Sequence, residues 1–199
     1  MNKVERSELL GLGEYEQIRP SFLSRIIAEK RNRRVAVSDE VTAVFENHDT
    51  VLFQVQEMLR TERITKESAI LHELETYNDL IAAPGELSAT MFVEIADSVV
   101  RERRLAELVG LESCISLEVF GAAIAARNET RGVLPDRTTA VHYLKFPLGP
   151  ELAKRLADAA AEKRSGVLYF VLQHPKLQAN KEIPALTMKS LAEDLTDGT

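Results

Sequence analysis

His72 and Glu75 stand three residues apart in a stretch whose apolar positions recur at helical spacing, and Glu57 lies on the predicted helix before it. Imidazole and carboxylate groups on facing helices are the donors of metal centres built inside helical bundles. Those centres use two Glu-x-x-His units and two further Glu, whereas here one His precedes its Glu and no second unit exists. No metal site is expected, and a solvated His/Glu face is the plainer reading. His142 lies in a strand-like run with Ala140, Leu144 and Phe146 on its side and Val141, Tyr143 and Lys145 on the other. A histidine among apolar neighbours is either a hydrogen-bonded core or interface residue or a general base or metal ligand, so His142 joins His72 and Glu75 as a possible polar site. His48 falls in a polar turn and His174 at a strand end, neither with the spacing of a metal ligand. Cys114 is the single cysteine, which excludes an intramolecular disulfide or a cysteine-built metal centre and leaves a structural thiol.

Lys30, Arg31, Arg33 and Arg34 form the one basic cluster, without the interleaved aromatics of a nucleic-acid site, and read as a solvated helix end. With a net charge of -6, the chain is too acidic for a general phosphate-backbone binder, and a nucleic-acid partner is not expected. There is no phosphate-cradling glycine loop and no G-x-S-x-G elbow. A helix predicted over 50–62 buries Val51, Leu52, Val55, Met58 and Leu59 on one stripe and turns Phe53, Gln56, Glu57 and Arg60 away from it. An aromatic anchor ringed by amide, acid and guanidinium is the composition of a recognition surface. Leaving a Phe in water forgoes ~1.5–3 kcal/mol of burial, so something should cover it. Either the N-terminal helix or a loop does so, or this face meets a ligand, a partner or a second copy of the chain.

These residues must be positioned by a mixed set of elements. Ser7 reads as the cap of a short helix stopped by Gly11 and Gly13, and Pro20 as the start of a second helix reaching Arg34. Residues 35–46 read as one or two strands, Thr50 as a cap, and 50–62 and 65–83 as an αα-hairpin ending at Pro84 and Gly85. From Glu86 the period changes to two: strands over 87–95, 114–126 (divided by Gly121), 138–146, 167–174 and 177–183 are interrupted by helices over 98–109, 150–163 and 184–195, with 127–137 a polar loop. Strands without regular βαβ alternation predict an α+β fold with a mainly antiparallel sheet and an N-terminal helical segment. One domain is expected, helical over about 1–85 and sheet-rich over about 86–199. A single sheet layer of this size leaves apolar strands to cover, which together with Phe53 motivates a two-fold homodimer.

The composition, 45% hydrophobic and 28% charged, is that of a globular chain, and the acidic excess gathers in residues 35–80. No apolar run approaches the ~20 residues that cross a bilayer, so no membrane association is expected. With a single cysteine, a cytoplasmic location is expected.

Four stretches, EYEQIRP (14–20), FENHDTVLFQVQEMLR (45–60), PGELSATMFVEI (84–95) and AVHYLKFP (140–147), make the chain resemble the bacterial family designated domain of unknown function 3501. That resemblance spans nearly the whole chain and brings no assigned cofactor or catalytic residues to carry over. Members of that family are often encoded beside rubrerythrin-like and iron-sulfur proteins. The resemblance thus implies a non-catalytic interaction protein accessory to redox or oxidative-stress metabolism, with such a protein as partner. The alternative is a small-molecule- or metal-dependent enzyme using His and Glu side chains.

Overall fold

The structure, a computed structural model, describes residues 2–128 and 134–196. The N-terminus forms a 3-10 turn at Arg6–Glu8 and then one helix, α1 (Leu12–Arg33), that runs through Gly13 and Pro20. The break after the first turn is confined to residues 9–11, and the second helix begins at Leu12 rather than at Pro20. A Gly in the first turn costs only about 1 kcal/mol. Pro20 removes one amide donor, but Tyr15 before it and Ile26 after it are both buried, so packing holds the two halves as one rod. Ser7 caps nothing; Gly11 occupies the cap position of α1.

Strands β1 (Arg34–Ala36) and β2 (Val41–Phe45) form a hairpin. Helix α2 (His48–Thr61) is capped by Asn47, not Thr50: the Asn47 side chain accepts from the Thr50 amide and the Thr50 hydroxyl accepts from the Asn47 amide, both at 2.9 Å. Helix α3 (Glu67–Asn78) pairs with α2 as the expected hairpin but ends earlier, where the Asn78 side chain bonds both backbone groups of Val4. There follow β3 (Glu86–Val93), α4 (Ser98–Glu107), a 3-10 turn carrying Cys114, β4 (Ile115–Val119), β5 (Ala122–Ala125), β6 (Arg127–Asn128), β7 (Val141–Pro147), α5 (Gly149–Ala161), β8 (Leu168–His174), β9 (Leu177–Glu182) and α6 (Ala185–Thr196). The β4–β5 turn is Phe120–Gly121, both with positive φ (51° and 82°), as the Gly121 hairpin requires. Part of the predicted 127–137 loop, residues 129–133, lies outside the described residues, and its start is strand β6.

The fold is α+β, with every described ladder antiparallel, but there are two sheets rather than one: β1-β2-β3-β7-β6 and β5-β4-β8-β9. The strands read over 35–46 form β1 and β2, so the mainly helical part before residue 86 lends two strands to the larger sheet. Val35, Ala43, Phe45, Met91, Leu144 and Phe146 turn one face of that sheet into a core shared with the smaller sheet, α5 and α6. The sheets meet where Phe146 and Phe170 make an edge-to-face contact at 5.9 Å. The apolar strands therefore cover one another within the chain. A second apolar cluster joins Val4 and Leu9 to Val51, Val55 and Leu59 of α2 and Ile70 and Leu74 of α3.

Candidate functional site

The opposite face of the larger sheet is polar. Alternation along each strand places Thr90 of β3, Tyr143 of β7 and, one register position on, Ser88 and Lys145 on that face. Ser88 pairs with Lys145, and Lys145 with Arg127 of β6. Glu46, just past β2, extends the ladder by donating its amide to the Ser88 carbonyl at 2.9 Å. Glu46, Ser88, Lys145 and Arg127 thus form one row across four neighbouring strands, though they are far apart in sequence. Asp79 and Leu80, which follow α3, close a cleft of about 360 Å³ over this row, with Tyr143 and Asn128 also lining it.

Glu46 is 4% exposed, and its carboxylate is held by three neutral donors: the Thr50 hydroxyl at 2.5 Å and the Gln54 amide at 3.0 Å on Oε2, and the Thr90 hydroxyl at 2.6 Å on Oε1. Among the described residues no cation pairs with it. Short bonds to an ionised acceptor are the strong kind, and here they offset the cost of burying the charge. Ser88, also 4% exposed, has a hydroxyl sealed from bulk water with no hydrogen-bond partner among the described residues. Leaving such a group unsatisfied costs about 1–3 kcal/mol. Lys145 forms no ion pair among the described residues, whereas Arg127 leans on Glu86 at 3.6 Å. The Tyr77 phenol of α3 is pushed up from its ordinary range by burial, with nearby Tyr143 and Glu73 adding to the shift.

The patch predicted on α2 is gathered on one side as expected, and α1 lies against it. Phe53 is half-buried, meeting Phe22 edge-to-face at 5.8 Å beneath the Lys30 ammonium. Gln56, 1% exposed, bonds both the amide (2.9 Å) and the carbonyl (3.0 Å) of Leu10. Glu57 accepts two bonds from the Arg19 fork, at 2.8 and 2.9 Å, and one from the Tyr15 hydroxyl at 2.8 Å. The Arg19 guanidinium and, after it, Tyr15 hold the Glu57 carboxyl at about 2 against the opposing effect of burial. Burial first and Glu57 second push the Tyr15 phenol up. Arg60 sits 3.4 Å from Glu57 and 3.7 Å from Glu16, and its buried Nε has no hydrogen-bond partner among the described residues. Phe53 and the apolar strands, the two motives for a dimer, are thus both covered from within the chain.

His72, Glu75 and His142 are not brought together. His72 and Glu75 are exposed on α3, and Glu57 is engaged by α1. His142 is 5% exposed on the core face of the larger sheet, away from α3, 3.4 Å from the Thr138 hydroxyl. Burial holds its imidazole below the ordinary range, with Glu112 and the Thr139 backbone acting the other way. His174 is fixed between the Val109 carbonyl (3.1 Å) and the Lys176 amide (3.2 Å). The Cys114 thiol, pushed up by burial and then by Glu112, donates to the Gly110 carbonyl at 3.6 Å. Among the described residues no group of three or more His, Cys, Asp or Glu is placed to hold a metal ion, and no helix is long and apolar enough to cross a membrane. One member of the basic cluster departs from a solvated end while Arg31 and Arg34 stay exposed: Arg33 is 2% exposed, forked onto Asp194 of α6 at 2.7 and 2.8 Å and onto Glu29 at 2.7 Å. The α1–α6 contact buries what sequence alone leaves in water.

The residues missed by sequence reasoning are Glu46, Ser88, Lys145 and Arg127. Their available signal was indirect. Glu46, Ser88 and Lys145 all fall inside stretches that carry the family resemblance, and Lys145 shares a strand face with Tyr143.

A family model described as "Protein of unknown function (DUF3501)" matches residues 3–195. The chain is also similar to the solved crystal structure of a novel protein of unknown function from Burkholderia pseudomallei K96243. That likeness has a TM-score of 0.87 at 30% identity and covers 98% of this chain and 100% of that one. No curated protein matches.

Proposed function

The chain belongs to the DUF3501 family of proteins of unknown function, and from that premise we propose that it is a non-catalytic binding protein that takes a small polar molecule in the cleft over Glu46, Ser88, Lys145 and Arg127. The observation that carries this reading is the row of Glu46, Ser88, Lys145 and Arg127 along a cleft of about 360 Å³, in which Lys145 forms no ion pair among the described residues. Pockets of this size are ordinary for small ligands, and an ammonium with no ion pair beside a buried carboxylate suits a polar occupant. Binding is favoured over nucleophilic chemistry because an activated serine needs a base within hydrogen-bond reach, which Ser88 lacks among the described residues. The setting we propose, from the genomic company of the family alone, is that of a cytoplasmic accessory to redox or oxidative-stress metabolism with a rubrerythrin-like or iron-sulfur partner.

The test is a ligand-observed NMR screen of small polar fragments against the full chain and two variants. Leu80→Trp fills the cleft from the helix side, and Lys145→Gln removes the ammonium that lines it. The expected result is a set of fragments that bind the wild type and are lost from both variants while each variant keeps its melting temperature within a few degrees. Fragments that bind all three proteins alike, or a wild type that binds none, would overturn the reading.

A further inference from the structure

Resting on that reading, we propose that the occupant is a neutral cyclic polyol of monosaccharide size, its hydroxyls bridging the Lys145 ammonium and the Glu46 carboxylate and its C–H face laid on the Tyr143 ring. Charge is the first selector. Lys145 lines the cleft without an ion pair among the described residues, and Arg127 stands beside it in register, so a cationic molecule meets two like charges. Glu46 lines the same cleft with no cation paired to it among the described residues, and Glu86 lies 3.6 Å from Arg127, so an anionic molecule meets two acids. Asp79, which also lines the cleft, is already engaged within the chain. Like charges brought face to face repel, and a neutral occupant avoids both sets.

Hydrogen bonding is the second selector. An ammonium only donates, an ionised carboxylate only accepts, and a hydroxyl does both. Oε2 of Glu46 takes the Thr50 hydroxyl and the Gln54 amide, whereas Oε1 takes only the Thr90 hydroxyl, so the remaining acceptor capacity is on Oε1. One hydroxyl of the occupant donates there while another accepts from Lys145. Both bonds are of the strong, charge-assisted kind, although the occupant itself carries no charge. Two strand spacings, about 10 Å by sheet geometry, separate the backbone of Glu46 from that of Lys145, which suits hydroxyls on separate carbons of one molecule.

The third selector is the aromatic wall. Tyr143 lies two residues from Lys145 on the same strand face and is 39% exposed, and Leu80 also lines the cleft. A ring with hydroxyls around its rim keeps an apolar C–H face for such surfaces, which an open chain of the same composition does not. A cleft of about 360 Å³ is near the small end of ligand sites and takes one ring rather than a chain of them.

The experiment titrates the full chain, by saturation-transfer NMR at about pH 6, with glucose, galactose, mannose and myo-inositol, and with three controls: glucuronate, glucosamine, whose amine is protonated there, and cyclohexanol. At least one neutral polyol should bind about tenfold more tightly than each control. Lys145→Gln should weaken that polyol about tenfold and narrow its advantage over glucosamine, because one of the two repelling cations is gone; mere disturbance of the cleft would weaken both alike. Tyr143→Phe, which keeps the ring, should retain polyol binding, and Tyr143→Ala should lose it. A control that binds as tightly as every neutral polyol, a wild type that binds no polyol, Lys145→Gln leaving the order of affinities intact, or Tyr143→Ala binding like the wild type would overturn this inference. In each of these cases, fragments that still enter the wild-type cleft and are excluded by Leu80→Trp keep the binding-protein reading standing, so the two failures are distinguishable.

Discussion

The α1–α2 contact and the polar face of the larger sheet are built from similar side chains, carboxylates, amides, hydroxyls and basic groups, yet they are satisfied to different degrees. Between α1 and α2, Glu57 has the Arg19 fork and a phenol, and Gln56 answers both backbone groups of Leu10. Across the sheet, Glu46 has only neutral donors, while Ser88 and Lys145 are left without partners among the described residues. The first arrangement is what a chain does with polar groups that hold two of its own elements together. The second leaves groups whose partners are not among the described residues, as the binding reading proposes. A polar cluster is therefore informative by its deficits: the α2 patch spends most of its donors and acceptors on α1 and leaves the Arg60 Nε unpartnered, whereas the sheet row leaves the Ser88 hydroxyl and the Lys145 ammonium unpartnered among the described residues.

That contrast can be broken by stability measurements. The largest effect is expected at Gln56. Gln56→Leu strands the amide and carbonyl of Leu10 together and should lower unfolding free energy by about 2–3 kcal/mol in urea titrations. A loss below about 0.5 kcal/mol would mean that the α1–α2 contact is not held by this amide.

Glu57→Gln should cost about 2 kcal/mol at neutral pH, and its cost should depend on acid. The folded carboxyl sits at about 2, below its ordinary 4.5, so the unfolded state takes up the proton first. The contribution is complete above about pH 4.5 and is lost as pH falls through about 2. Wild type and variant should accordingly converge in stability over that window, and a gap that is constant from pH 7 to pH 2 would contradict the Arg19–Glu57 geometry.

The smallest effect, and the one of opposite sign, belongs to the cleft. Ser88→Ala removes a buried hydroxyl that bonds nothing among the described residues, and should leave stability unchanged or raise it by up to about 1 kcal/mol. Destabilisation by more than that in thermal melts would show Ser88 to be a structural donor and collapse the contrast between the two regions.

Legibility followed the range of the interactions. The hairpin of α2 and α3, the Phe120–Gly121 turn and the late strands were readable because their signals lie within a few residues of each other. Pro20 misled because a local rule favours it at a helix start, while the burial of Tyr15 and Ile26 is not a local fact. Phe53 was correctly seen to need cover, but only the tertiary structure supplied Phe22 and Lys30 as the cover. Arg33 shows the same limit, since its partner Asp194 is far along the chain.

By itself, then, the sequence determined the element types, the α+β class and the alternation that gives each strand a polar and an apolar side, because periodicity and propensity act over one or two turns of chain. Tertiary structure decided which polar sides came together. Glu46, Ser88, Lys145 and Arg127 share one row because antiparallel register aligns β2, β3, β7 and β6, and a one-residue slip in any of these pairings would have turned part of the row into the core.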